Sequence, residues 1–140
     1  MLVRLMYASR ANDTVNHEAL AAILKKSRLN NPATGVTGVL CFSEGLFLQL
    51  LEGGRLPVSQ LYNRIANDAR HRDVMLLSYE EIGERKFAGW SMGQVNLSHL
   101  NASLLLKYSE SATLDPYAVS GAVSMALFNE LVATASVVCT

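Results

Sequence analysis

Few residues in this chain have chemistry to offer. Tyr7 ends an apolar stretch. Gln49 interrupts the run Phe47-Leu48-Gln49-Leu50-Leu51. Trp90 and Met92 flank Ser91, and Asn30-Asn31 precede Pro32. A phenol can release an electron and a proton. An uncharged amide carries two N–H donors and an acceptor oxygen. A glutamine inside an apolar run is costly to bury unless it is paired. Two placements are open on these residues alone. Gln49 could face solvent from a half-buried strand with Tyr7 in the core, or the fold could gather both at one pocket. Trp90 and Met92 equally suit ordinary core packing.

Other candidates fall away. His17, His71 and His99 are dispersed and share no ligand spacing with Cys41 or Cys139, so no metal site is expected. Glu80 and Glu81 are adjacent, and neighbours on a strand point to opposite faces, so they read as a solvated strand end. Gly53-Gly54 before a helix belongs to neither a P-loop nor a GxGxxG, and reads as a turn. Ser9, Ser91 and Ser109 lack the surroundings of an activated nucleophile. No enzyme is expected.

The elements that must position the first set follow from pattern. The chain has 140 residues, 50% hydrophobic and 17% charged, which suits one core and excludes global disorder. Twelve basic and twelve acidic residues cancel, so the basic excess of a nucleic-acid binder is missing. Zero net charge with a slightly positive mean hydropathy favours association with copies or a partner. The cysteines form no disulfide pattern, which predicts a reduced, cytoplasmic protein. Arg4 in the first apolar stretch argues against a signal peptide, and Glu130 argues against a membrane span over 117–138.

Strands are predicted over 2–7, 36–42, 46–51, 74–82 and 91–96. Asn16 caps a helix over 17–29, which Asn30-Asn31-Pro32 stops because the residue before proline avoids helical angles. A second helix runs from Pro57 to about Asp68. Glu52-Gly53-Gly54 ends the third strand, and 68–73 is a charged connection. The order β-α-β-β-α-β-β predicts an α+β, ferredoxin-like sandwich with a five-stranded mixed sheet. Two C-terminal helices, over 97–108 and 117–135, cover its other face through Leu104, Leu105, Leu127, Phe128 and Leu131. Residues 1–97 are expected as one domain, with 98–140 a helical extension packed into the same globular unit.

Six separated motifs then coincide: RLMYASR at 4–10, NNPATGVTGVL at 30–40, FLQLLEG at 47–53, YNRI at 62–65, DARH at 68–71 and WSM at 90–92. Their types, order and spacing resemble the BLUF family, sensors of blue light using FAD. LKYS at 106–109 and TLDP at 113–116 extend the resemblance to its short, PixD-like members, which lack a fused output domain.

The resemblance implies a photoreceptor that binds FAD non-covalently between its two sheet-covering helices. Asn31 would hydrogen-bond the pyrimidine edge of the flavin, with Asn30 at the same end. Arg64, Asp68, Arg70 and His71 would hold its other polar side. Ile23 and Ile65 would sandwich the ring, with Ser27 and Gln49 also in contact. Tyr7 and Gln49 would be the photoactive pair, exchanging an electron and a proton with the flavin and leaving the amide rearranged. Trp90 and Met92 would adjoin Gln49 and relay the signal. Output would pass through a homo-oligomer, a decameric ring built from pentamers in that subgroup, and through a response-regulator-like effector protein. Neither nucleic acid nor membrane is an expected partner. Two other classes stand beside this one: a ferredoxin-like binding or oligomerisation module without cofactor, and a flavoenzyme. The latter is weakened because no residue is left over as a substrate acid or base.

Overall fold

Alternation along the first apolar stretch sets the centre of the sheet. In β1 (Leu2–Ala11), Val3, Leu5 and Tyr7 point to one face and Met6 and Ala8 to the other, and all five are buried. A strand apolar on both sides must lie between two covering layers. The computed structural model describes residues 1–13, 15–96, 102–134 and 136–138. There β1 is followed by α1 (His17–Thr34), β2 (Thr37–Ser43), β3 (Leu46–Gly54), α2 (Arg55–Ala66), β4 (His71–Ile82), β5 (Gly93–Asn96), α3 (Ala102–Tyr108), α4 (Gly121–Thr134) and β6 (Ser136–Val138).

The sheet order is β4-β1-β3-β2-β5-β6. β1 pairs antiparallel with β3 and with β4, while β2 pairs parallel with β5, so the sheet is mixed as expected. On one face Leu20 and Leu24 of α1 and Val58 of α2 pack against Leu5, Leu40, Phe47 and Leu51. On the other, Leu105 of α3 and Leu127, Phe128 and Leu131 of α4 pack against Met6, Val39, Leu48 and Leu50. This is the sandwich that the β-α-β-β-α-β-β order predicts, with both faces covered.

Several boundaries differ from the sequence reading. The first helix does not stop at Asn30-Asn31-Pro32; it runs through Pro32 to Thr34. Its end is set by Gly35, which adopts φ 72°, a left-handed conformation that glycine reaches without steric cost. Tertiary contacts hold that extra turn, because Asn31 Nδ2 donates to the Ser91 carbonyl at 2.8 Å and Arg28 Nε to the Met92 carbonyl at 3.0 Å.

Glu52-Gly53-Gly54 belongs to β3 and does not break it. Glu52 is fully buried and answered there. It accepts from Arg4 Nε at 2.9 Å, from the Phe87 N–H at 2.8 Å and from the Lys86 N–H at 3.1 Å. The charged connection is also part of a strand from His71 on, and β5 starts at Gly93, two residues later than expected. A short sixth strand, β6, joins β5 antiparallel beyond the five that were predicted. His99, Cys139 and the segment 97–101 lie outside the described residues.

Candidate functional site

Register brings the central pair together. In the β1–β3 ladder Tyr7 stands directly opposite Gln49. Cross-strand partners share a face, so both side chains point to the side that α1 and α2 cover. The Tyr7 hydroxyl donates a short hydrogen bond to Gln49 Oε1. The Gln49 amide donates in turn to Met92 Sδ at 3.3 Å. Tyr7 is 1% exposed and Gln49 5%, so of the two placements open on the sequence the pocket is the one observed.

Above this pair lies a narrow cleft of about 170 Å³ between α1, α2 and the sheet. Ile23, Ser27, Asn30 and Asn31 line it from α1. Arg64 and Ile65 line it from α2, and Asp68, Arg70 and His71 from the turn into β4. Every residue that the family resemblance put beside a flavin therefore borders one cavity. Helical spacing explains the α1 set, since residues 23, 27, 30 and 31 follow the i, i+4, i+7, i+8 rhythm of a single face. The Ser27 hydroxyl is engaged with its own helix, donating to the Ile23 carbonyl at 3.0 Å.

Burial and pairing set the electrostatics. Burial, reinforced by Tyr62 and Asp68, raises the Tyr7 phenol far above the ordinary range, so it stays protonated at neutral pH. Hydrogen bonds from Arg70 hold the Asp68 carboxyl down at about 2; Arg70 Nη2 lies 2.6 Å and its backbone N–H 2.9 Å from that carboxylate. Burial lowers the His71 imidazole, whose Nδ1 lies 2.7 Å from the Ser9 hydroxyl. The His71 ring stands 4.5 Å from Phe47 and 6.3 Å, edge-on, from Tyr7.

Trp90 is placed differently from the expectation that it adjoins Gln49. It stacks on Phe87, with ring centroids 5.2 Å apart, in the core on the opposite face of the sheet. Met92 is fully buried in the core on the Tyr7 face. The backbone is irregular across 90–92 and regular strand starts only at Gly93, so two residues that strand alternation would put on one side diverge.

Sequence reasoning missed Lys26, Thr34, Leu40, Phe47 and Leu61, which also line the cleft. Phe47 was findable, because it lies two residues before Gln49 on the same strand and so shares its face. Lys26, one turn beyond Ile23, was findable by helical spacing.

The donor set suits a flat heterocycle. Apolar walls from Ile23, Leu40, Phe47 and Ile65 enclose a slot, and amide, guanidinium and imidazole groups at its ends can answer ring carbonyls and N–H groups. The ring of FAD has that shape and those polar edges.

Comparison with known proteins agrees. Residues 2–93 match the family described as BLUF, sensors of blue-light using FAD. A structure titled "BlsA photo-activated state" superposes with a TM-score of 0.86 at 32% identity, over 97% of this chain and 99% of that one. "BlrB - a BLUF protein, dark state structure" superposes with a TM-score of 0.79 at 30% identity, over 94% and 95%. Photoactivated adenylate cyclase subunit beta of Euglena longa is 35% identical over 92 residues, which are 65% of this chain and 11% of that protein. The chain thus spans only a small part of the cyclase subunits it matches.

Proposed function

The chain belongs to the BLUF family, sensors of blue light using FAD, and from that membership we propose that Tyr7 and Gln49 are its photoactive pair and that it signals through protein–protein contacts. The matched segment is a light-sensing domain, not an enzyme domain. One observation carries the proposal: a buried phenol hydrogen-bonded to a buried amide whose other end contacts Met92, all beside the cleft.

Bound FAD supplies the absorption of blue light and, when excited, an acceptor for one electron. The chain's own residues do the rest. Tyr7, kept protonated by burial, gives up an electron and a proton together, because a buried phenolate or a buried cation would each be costly. Gln49 passes the proton, since its amide can donate and accept. Both electron and proton return to Tyr7, so nothing is oxidised overall. The amide is left rotated or tautomerised, and it then offers different donors and acceptors to the flavin ring and to Met92. The changed donors and acceptors of the Gln49 amide would red-shift the absorption that FAD supplies. The altered contact at Met92 starts the signal.

In this reading Asn31 and Asn30 hold one end of the ring, and the Asp68–Arg70–His71 group with Arg64 holds its other polar side. Ile23 and Ile65 pack on its faces, and Ser27 borders it. Met92 relays the signal from its contact with the Gln49 amide, and Trp90, stacked on Phe87 in the opposite core, is the second relay residue. Residues 1–97 form the sensor and 98–140 a helical extension of the same unit, which the burial of Leu105, Leu127, Phe128 and Leu131 supports. Output goes to a homo-oligomer and to a separate, response-regulator-like effector in the cytoplasm. Among the described residues no helix is long and apolar enough to cross a membrane.

The test is the visible spectrum of the purified protein before and after blue light. A flavin spectrum that shifts red and recovers in the dark is expected, with Tyr7→Phe and Gln49→Leu both folded, coloured and unable to shift. A full, reversible shift in either variant would remove that residue from the mechanism. A colourless, folded wild-type protein would favour the cofactor-free binding module instead.

A further inference from the structure

Regular alternation along β4 would bring a different residue to the cleft from the one that lines it. Leu76 stands opposite Tyr7, and Val74 packs in the same core, so both belong to the face that α1 and α2 cover. A regular strand would put Arg72 on that face next. The cleft holds His71 instead, and Arg72 stands opposite Arg10. One extra residue explains the change. Between the pairs Ala8–Met75 and Arg10–Arg72 the ladder shifts register, so that Asp73 and Val74 both oppose Ser9. Asp73 takes φ 52°, in the left-handed region that residues with a Cβ rarely adopt. The bulge turns His71 to Ser9, whose hydroxyl lies 2.7 Å from Nδ1, and to Phe47, whose ring lies 4.5 Å away.

A strained bulge persists only where its surroundings hold it. The far layer supplies that hold. In the α3–α4 connection Asp115 Oδ1 accepts from the Tyr117 N–H at 3.1 Å, a turn that fixes the tyrosine. The Tyr117 hydroxyl donates to the Asp73 carbonyl at 2.8 Å, and the Arg10 guanidinium lies 4.4 Å above its ring. Arg10 also reaches the Asp73 carboxylate at 3.7 Å. One side chain from the C-terminal extension thus grips both strands of the bulge. We propose that Tyr117 is a positioning residue for His71: it holds the Asp73 bulge, and the bulge aims His71 rather than Arg72 at the cleft. The role of His71 beside the ring is the one given under the proposed function, on which this inference rests. Tyr117 itself packs in the core on the opposite face and does not line the cleft.

The experiment uses the full-length, flavin-loaded protein as wild type, Tyr117→Phe, Tyr117→Ala, His71→Gln and the double variant Tyr117→Ala with His71→Gln. After a blue flash, the rate of dark recovery is read from the flavin absorption. Tyr117→Ala is expected to change that rate by about threefold or more, the effect of one partly solvated hydrogen bond and a cation–π contact. Tyr117→Phe keeps the ring under Arg10 and should show a smaller part of the change. In the His71→Gln background Tyr117→Ala should change the rate no further, because its effect passes through the imidazole. A general loosening of the fold would act equally in both backgrounds, and that result overturns the proposal. So does an unchanged rate in Tyr117→Ala. Imidazole NMR signals give a second reading that needs no light. The signals absent from His71→Gln should move in Tyr117→Phe, and signals that stay in place overturn the proposal. A folded wild type that binds no flavin overturns the flavin reading, while the imidazole signals still decide whether Tyr117 holds His71.

Discussion

Tyr7 and Gln49 lie 42 residues apart and meet because the β1–β3 register sets one opposite the other. Each answers the other's buried polar group. Removing either leaves a partner unsatisfied, which costs about 1–3 kcal/mol, whereas removing both leaves apolar surface that packs. We therefore predict that Tyr7→Phe with Gln49→Leu is less destabilised than the sum of the two single variants. Urea unfolding of the four proteins checks this, and strict additivity would mean that the bond contributes nothing to stability. His71 carries a second prediction. Its proton affinity is lowered in the folded protein, so below pH about 6.5 the unfolded chain takes up the proton first and stability falls. Asp68, held at about 2, keeps its contribution at pH 7 and loses it only as pH falls from the ordinary carboxylate range through that value. The decline between pH 7 and 5 therefore belongs to His71. The urea midpoint should drop over that interval in wild type and stay flatter in His71→Gln.

At the scale of elements, the two helical layers are attached by different means. The α1 end is tied to 91–92 by Asn31 and Arg28, so the helix that walls the cleft is bonded to the segment that carries Met92. On the far face α4 approaches the sheet backbone closely. A Cβ placed on Gly121 would lie 2.0 Å from the Leu77 carbonyl oxygen. Gly121→Ala must push α4 away from β4, and we predict a loss of about 1–3 kcal/mol by thermal unfolding. Gly83→Ala is the control, since a Cβ there meets nothing within 4 Å, and it should stay within about 0.5 kcal/mol of wild type. A harmless Gly121→Ala would show that α4 is not held at that distance.

For the whole molecule, exposed apolar side chains collect on β4, which lies at an edge of the sheet: Met75 is 45% exposed, Leu76 48% and Tyr79 37%. With zero net charge, little opposes association. The light-driven change proposed for Gln49 would need only to alter interface free energy, and about 1.4 kcal/mol per interface gives a tenfold shift in population. We predict that size-exclusion chromatography with light scattering gives different mass distributions in the dark and under blue light, and that Gln49→Leu gives one distribution in both. A monomer under both conditions, with no effector bound in either, would sink the assembly reading and leave the photochemistry untouched.

The sequence by itself determined the element order and the sandwich, because apolar periodicity along β1, β3 and the helix faces leaves few ways to bury those surfaces. Every residue that the family resemblance put beside a flavin also lines the cleft, whereas Lys26, Thr34, Leu40, Phe47 and Leu61 joined the lining only once the fold was seen. Other features depended on contacts between distant segments, which local pattern cannot carry. Glu52-Gly53-Gly54 reads as a break until Arg4 and the 86–87 backbone are seen to satisfy Glu52 inside the sheet. Pro32 reads as a stop until Asn31 and Arg28 are seen to anchor the last turn across the chain. The choice between Trp90 and Met92 beside Gln49 was made by packing alone. Phe87 holds the indole on one face while the thioether meets the amide on the other, and no spacing rule across an irregular segment distinguishes them.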